Sequence, residues 1–377
     1  MRTIRFNKIY VFLILCLVPF DTFADNALVV EIEDATIIEY TNVFIDQITV
    51  NDDAGIKKIR QLNPPVYDDY QDEIKWFNAL RKWLREETSH GKEAFRFSFY
   101  PPSMIEMMRN SKTYSATCGP FSVAYAGLLL SFDVPVRLVH VYSDSSHKSL
   151  RSHTFNEVWS EAYQKWIVQD VDQNIFWIDA SGTPANSFEI QQDIIKCRQN
   201  KNCNQILPHR SYQVTPRLDK ISVEIFYRLA ISFQANYFRV AKVPYLQYQI
   251  GSIFHLKRKD ENEKGDQIWI DYKRNMQIKT IEDSSILYAP VNQIKIALID
   301  EEKYFTFALK NNILNFDHYE VLLNSKIFKI MESGQDSFQC KKDAIDKDTI
   351  FHIRGVSRNG HKTKFWKATI NSEACSK

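Results

Sequence analysis

Residues 117–172 read TCGPFSVAYAGLLLSFDVPVRLVHVYSDSSHKSLRSHTFNEVWSEAYQKWIVQDVD, and the order of elements inside this stretch decides the fold. Cys118-Gly119-Pro120 opens an apolar run to Phe132 in which Val123, Ala126, Gly127 and Leu130 share one face of a buried helix. Pro120 suits the first turn of that helix, where its missing N–H is not needed. Pro135–Val141 (PVRLVHV) reads as a strand and 143–152 as a polar loop. Thr154–Ser160 and Lys165–Asp172 follow as the two strands of a hairpin around Glu161–Gln164.

The stretch places chemistry as well as structure. A cysteine nucleophile reacts as its thiolate, which a helix N-terminus favours through its partial positive charge and free N–H groups, and Cys118 stands at such a position. It needs a base to take its proton and a third polar group to orient that base. With Ser160 opposite Lys165, Asp170 falls opposite Phe155 and Asp172 opposite His153, so alternation puts His153, Asp170 and Asp172 on one face. A slip of one residue would send both aspartates to the other side. Either aspartate could steady the imidazole, and the plain alternatives are a buried inert Cys118 and a satisfied strand His153. Asp170, Asp172 and Asn174 do not make a calcium loop, because Ile175 stands where Gly is needed and Ser181 where Glu is needed. The chain has no G-x-S-x-G, H-E-x-x-H, P-loop or dinucleotide fingerprint.

Outward from this centre, 28–50 reads as two or three short strands rich in β-branched residues. Tyr70–Ser89 has helical spacing in Ile74, Phe77, Leu80 and Leu84, and Ser103–Arg109 makes a shorter helix after Pro101-Pro102. Beyond Ser181 the text is irregular until a helical segment from Pro216 to about Arg239. After Gly251 the periodicity is β, and Tyr319–Ile370 alternates like an Ig-like or fibronectin-type sandwich. The expected division is a signal peptide at 1–24, an N-terminal β segment at 25–64, a catalytic domain at 65–245 and a β-rich region at 250–377.

The 377 residues, 44% hydrophobic and 25% charged, suit about two globular domains. Lys and Arg number 48 against 46 Asp and Glu, too balanced for the basic footprint of a nucleic-acid binder. Arg2, Arg5 and Lys8 precede an apolar run from Ile9 to Phe20, with Ala24 as a small residue at the expected cleavage point. That run spans about 18 Å as a helix, short of the roughly 30 Å bilayer core, so an exported protein is expected, in the periplasm or secreted, with an uncleaved anchor as the alternative. Removing 1–24 leaves a formally neutral chain and five of the six cysteines. If Cys118 is the odd free thiol, proximity favours Cys197 with Cys203 and Cys340 with Cys375 among three connectivities. A single C-x5-C without a second Cys or His pair makes metal binding the weaker reading.

Thr117-Cys118-Gly119-Pro120 leading into the helix, then VPVRLV, then HTFNEVW at 153–159 and WIVQD at 166–170, resembles the transglutaminase-like superfamily, over about residues 70–190. The sequence departs from that pattern at Phe155, where Trp is commoner, at Val171-Asp172, where Pro often follows the aspartate, and in the polar insert at 143–152. The resemblance implies an α+β, papain-like core, a helix bearing the cysteine packed on an antiparallel sheet, here followed by a mostly β, Ig-like region. It implies a triad of Cys118, His153 and Asp170, no cofactor or metal, and attack of the thiolate on an amide or ester carbonyl. The oxyanion would meet the Cys118 N–H and a side chain upstream such as Tyr114. The expected partner is a protein, peptide or other amide-containing substrate, and hydrolysis is preferred to cross-linking. A non-catalytic surface binding or scaffold protein is the competing expectation.

Overall fold

A helix that is apolar on every side is satisfied only at the centre of a fold, and Cys118–Leu130 is one, with every residue from Pro120 to Leu130 buried. The computed structural model describes residues 29–32, 50, 52–66, 73–86, 88–91, 100–111, 114–142, 152–200, 206–210, 228–233, 253–256, 278–281, 284–342 and 349–371. The expected signal peptide at 1–24 and most of the polar insert lie outside these residues. The described elements are, in order, β1 (Val29–Ile32), α1 (Asp53–Gln61), α2 (Glu73–Arg85), β2 (Ser89–His90), α3 (Pro101–Asn110), β3 (Ser115–Ala116), α4 (Cys118–Leu130), β4 (Val136–Tyr142), β5 (Ser152–Ser160), β6 (Lys165–Gln169), β7 (Ile175–Ile178), α5 (Ser187–Asn200), β8 (Leu207–Arg210), β9 (Arg228–Phe233), β10 (Ile253–Leu256), β11 (Ile278–Ile281) and α6 (Ser284–Leu287). The rest are strands: β12 (Ile294–Asp300), β13 (Tyr304–Asn311), β14 (Phe316–Leu323), β15 (Lys326–Glu332), β16 (Ser337–Lys341), β17 (Thr349–Ser357) and β18 (Trp366–Asn371).

The central sheet has the order β11-β10-β9-β4-β5-β6, antiparallel except between β10 and β11. Helix α4 lies on β4 and β5, and Phe77, Leu80 and Leu84 of α2 with Met104, Ile105 and Met108 of α3 close the same core. Beyond α6 the chain forms a β-sandwich. One sheet runs β1-β18-β17-β14-β15 and the other β12-β13-β16, with Phe307 stacked on Phe338 at 4.7 Å and meeting Phe351 of the facing sheet at 4.8 Å. The architecture is therefore α+β followed by a sandwich.

Polar groups weld the two parts. Buried Asp133, just past α4 at φ 58°, accepts from Asn315 Nδ2 at 2.7 Å, Asn359 N at 2.8 Å and Asn359 Nδ2 at 2.9 Å. Arg60 of α1 donates to Ser131 O at 2.9 Å and Asn359 O at 3.2 Å. At the β5–β6 turn, Glu73 accepts from Ser160 Oγ, Glu161 N at 3.0 Å and Ala162 N at 3.3 Å, while Glu161 accepts from Asn292 Nδ2 at 2.8 Å and faces His361 at 3.6 Å.

Four expectations differ from this arrangement. Residues 53–61, within the expected β segment at 25–64, form α1, started by Asp52 accepting from Gly55 N at 2.9 Å and held by buried Ile56 and Ile59. The expected helix at 216–239 contains strand β9, whose RLAISF pairs with both β4 and β10, a non-local choice that six residues of text do not announce. The stretch after Ser181 contains helix α5. Strands β10 and β11, expected in the region at 250–377, extend the central sheet instead. Cys118 and Cys340 are free thiols, and the side chain of Cys197 and all of Cys203 and Cys375 lie outside the described residues, so neither expected pairing falls wholly within them.

Burial lifts the Glu73 carboxyl from 4.5 to about 7, against the bonds from Ser160 and Glu161 N that favour its charge. The folded state thus holds a proton that the unfolded chain has released, and this group's contribution to stability falls as pH rises from about 4.5 to about 7. Urea midpoints of wild type and Glu73→Gln measured across that window should show wild type losing ground to the variant as pH rises; parallel midpoints would contradict the assignment.

Candidate active site

Thr117, in extended conformation, delivers the chain into α4 with Cys118 as the first helical residue and its side chain partly exposed. The Ser122 hydroxyl, one turn on, lies 2.8 Å from Cys118 O and 2.9 Å from Thr154 O, so the first turn of α4 is tied to β5 beside His153. Asn156 Nδ2 adds a bond to Ser122 O at 3.0 Å. Neither Ser122 nor Asn156 stands out in the sequence as part of this joint, because each acts through a backbone group distant along the chain.

The register of β5 and β6 runs from Ser160↔Lys165 to Asn156↔Gln169. Beyond Gln169 the chain leaves β5, and Asp170 exchanges both backbone hydrogen bonds with Ile175 instead, at 2.9 and 3.0 Å. The turn between them directs the Asp170 carboxylate at the start of β5. His153 Nε2 meets Asp170 Oδ2 at 2.6 Å, and Cys118 lies near enough for its interaction with the imidazole to help hold the ring's proton. The structure thus brings Cys118, His153 and Asp170 together. Asp170 Oδ1 accepts from Gln173 N at 3.1 Å, which fixes its rotation.

Asp172 sits in the same turn with a different partner, accepting from His90 Nδ1 at 2.8 Å. His90 is opposite Ala116 in the β2–β3 bridge, on the segment leading to Cys118. The two aspartates expected on one face therefore separate by partner, Asp170 to His153 and Asp172 to His90, and no feature of the text singled out His90.

The electrostatics follow the geometry. Burial pulls the His153 imidazole down, but the charge and hydrogen bond of Asp170, with Cys118 beyond, hold it well above its usual 6.5. Burial, then the Asp170 charge, raises the Asp172 carboxyl from its ordinary value, and His153 and His90 offset part of this. Tyr114, buried ahead of β3, is pushed by burial up to about 12 and stays a protonated donor at neutral pH. Further along β5, Glu157 pairs with Arg137 at 2.6 Å and accepts from Ser187 N at 2.7 Å, which docks α5 on the sheet. Among the described residues no group of three or more His, Cys, Asp or Glu is arranged to hold a metal ion, and no described helix is long and apolar enough to cross a membrane.

Residues 60–171 match the family model of the transglutaminase-like superfamily, so this chain carries a transglutaminase-like domain followed by a β-sandwich. No curated protein matches the chain. Among solved structures, the spore cortex lytic enzyme SleM of Clostridium perfringens is similar at 11% identity and a TM-score of 0.19, over 20% of this chain and 26% of that one.

Iodoacetate, an anionic reagent favoured by a neighbouring imidazolium, should alkylate Cys118 up to a pH well above 6.5 before its rate falls. Asp170→Asn should move that falling limb towards 6.5, whereas Asp172→Asn should move it much less. Equal limbs for wild type and Asp170→Asn would show that the carboxylate does not hold the proton on His153.

Proposed function

We propose that the protein is an exported cysteine enzyme acting on amide bonds. The 2.6 Å pair of His153 and Asp170, whose imidazole also interacts with Cys118 at the start of α4, carries this reading. His153 takes the Cys118 proton as sulfur attacks the carbonyl carbon, and the oxyanion is met by the Cys118 N–H at the helix start, with Tyr114 as the proposed second donor. His153 then returns the proton to the departing amine, leaving a thioester. Water, activated by His153, adds to the thioester and releases an acid and the free thiol.

Hydrolysis is the preferred outcome because water needs no dedicated acceptor site, whereas an amine must be bound and oriented to compete for the thioester. The substrate class is a protein, peptide or other amide-containing molecule, outside the cytoplasm, and the trio of side chains suffices without a cofactor. A second reading, a binding or scaffold protein, draws support from Ile327, Phe328 and Ile330, which lie exposed on the edge strand β15.

Incubation with a glutamine-containing peptide and a labelled amine separates these readings. Release of acid or ammonia that is lost in Cys118→Ala supports the hydrolase, and Cys118-dependent incorporation of label supports cross-linking. The variant should lose on the order of a thousandfold or more in rate. If Cys118 in the native protein resists iodoacetamide at neutral pH and reacts only after denaturation, the enzymatic reading is wrong and the scaffold reading stands.

A further inference from the structure

The Asp170 carboxylate is presented at the point where β6 has just left its partner strand, so its position depends on whatever fixes the two residues that flank its turn. Those residues are Gln169, the last to pair with β5, and Ile175, which bridges to Asp170. A single nitrogen reaches both. Arg81 Nη1, on α2, donates to Gln169 Oε1 at 2.8 Å and to Ile175 O at 2.7 Å. Its Nη2 donates to Asn78 Oδ1 on the same helix, and the guanidinium lies 5.6 Å from the ring centre of Phe176, next along β7. The side chain is fully buried.

We infer that Arg81 is a positioning residue for the His153–Asp170 pair, clamping Gln169 to Ile175 so that the turn between them aims its carboxylate at the imidazole. The inference deepens the proposed function and rests on it for its relevance to turnover, although the clamp itself is a matter of geometry. Several features make Arg81 more than a filler of the core. Burying a guanidinium costs free energy that a leucine would not, and two of the hydrogen bonds it makes here are spent on the ends of one turn. The rigid planar fork lets one face address two acceptors 88 and 94 residues away in sequence while the other nitrogen is held by its own helix. Other supports of the turn include Gln173 N on Asp170, from within it, and His90 on Asp172, from the β2–β3 bridge. Arg81 thus links the turn to α2, the helix whose Phe77, Leu80 and Leu84 anchor it in the main core. A shift of the turn by an ångström would leave His153 intact but misdirected, and displacements of that size cost catalysts on the order of a hundredfold.

Among the described residues, the charged and titratable groups that act on His153 are Asp170 and Cys118, with Asp172 and its partner His90 one step further. The direct readout is the titration of His153 in the full chain, followed by NMR of nitrogen-labelled histidine, with Cys118 alkylation by iodoacetamide as a companion measurement. In Arg81→Met the His153 titration should fall by about one unit or more, because Asp170 no longer meets the ring squarely, and alkylation near neutral pH should slow about tenfold. Arg81→Lys should not restore either value, since an ammonium lacks the planar fork. In an Asp170→Asn background, Arg81→Met should add no further change. A folded Arg81→Met that titrates like wild type would overturn the inference, as would an equal shift in the Asp170→Asn background, which would mean that Arg81 acts by general destabilisation. Should Arg81→Met fail to fold, Gln169→Met removes one of the two acceptors and leaves Arg81 in place; it should give a smaller downward shift, and an unchanged titration overturns the inference equally. Because the titration is read whether or not any amide is turned over, an inactive wild-type protein would refute the proposed function without deciding the clamp.

Discussion

A contact of 2.6 Å between His153 Nε2 and Asp170 Oδ2 is the constraint on which the rest of the site depends. It commits one ring nitrogen to the carboxylate, which leaves the other for the sulfur of Cys118, and it holds a proton on an imidazole whose burial alone would expel it. The contact exists only because β5 and β6 pair in one register and then part after Gln169. A slip of one residue would turn the Asp170 side chain through the sheet and leave His153 facing apolar neighbours. Register is therefore the structural quantity that the chemistry rests on, and the buried rows of Phe155, Val158, Trp159, Trp166, Ile167 and Val168 are what make a slip costly.

The sulfur's side of the contact is held with comparable care. Helix α4 is surrounded, and it is pinned at both ends: Ser122 and Asn156 tie its first turn to β5, and Asp133 just beyond its last turn is wrapped by Asn315 and Asn359 of the sandwich. The sandwich thereby acts on the position of α4. The Glu73 and Glu161 cluster fastens the opposite end of the hairpin to the same sandwich through Asn292, so both halves of the site, the helix and the hairpin, lean on one support.

Much of the site was legible because its parts lie close in the text and obey short periods. Cys118, His153 and Asp170 fall on a helix start and a hairpin, where alternation and turn length decide which side chains share a face. Alternation left the choice between Asp170 and Asp172 open, and only the family resemblance named Asp170. The choice depends on His90, whose place beside the site comes from a two-residue parallel bridge that carries no periodic signal. Arg81 and Ser122 escaped for the same reason, since their work is done on backbone and amide groups far along the chain. The fold shows the same division: α2, α3, α4 and the β5–β6 hairpin follow from spacing, whereas β9, β10 and β11 are short runs whose sheet is chosen by partners outside their own sequence. Helix α1 was missed because its apolar face is only Ile56 and Ile59, too little pattern to outweigh the β-branched residues before it.

The central claim is that Cys118 becomes acylated because His153, steadied by Asp170, takes its proton. Its most direct test is mass spectrometry of the Cys118 peptide after brief exposure of the native protein to an activated acyl donor and an acid quench. The expected result is an acyl mass on that peptide, removed by hydroxylamine and nearly absent in His153→Ala. No adduct on an accessible Cys118, or the same adduct at the same rate in His153→Ala, would contradict it.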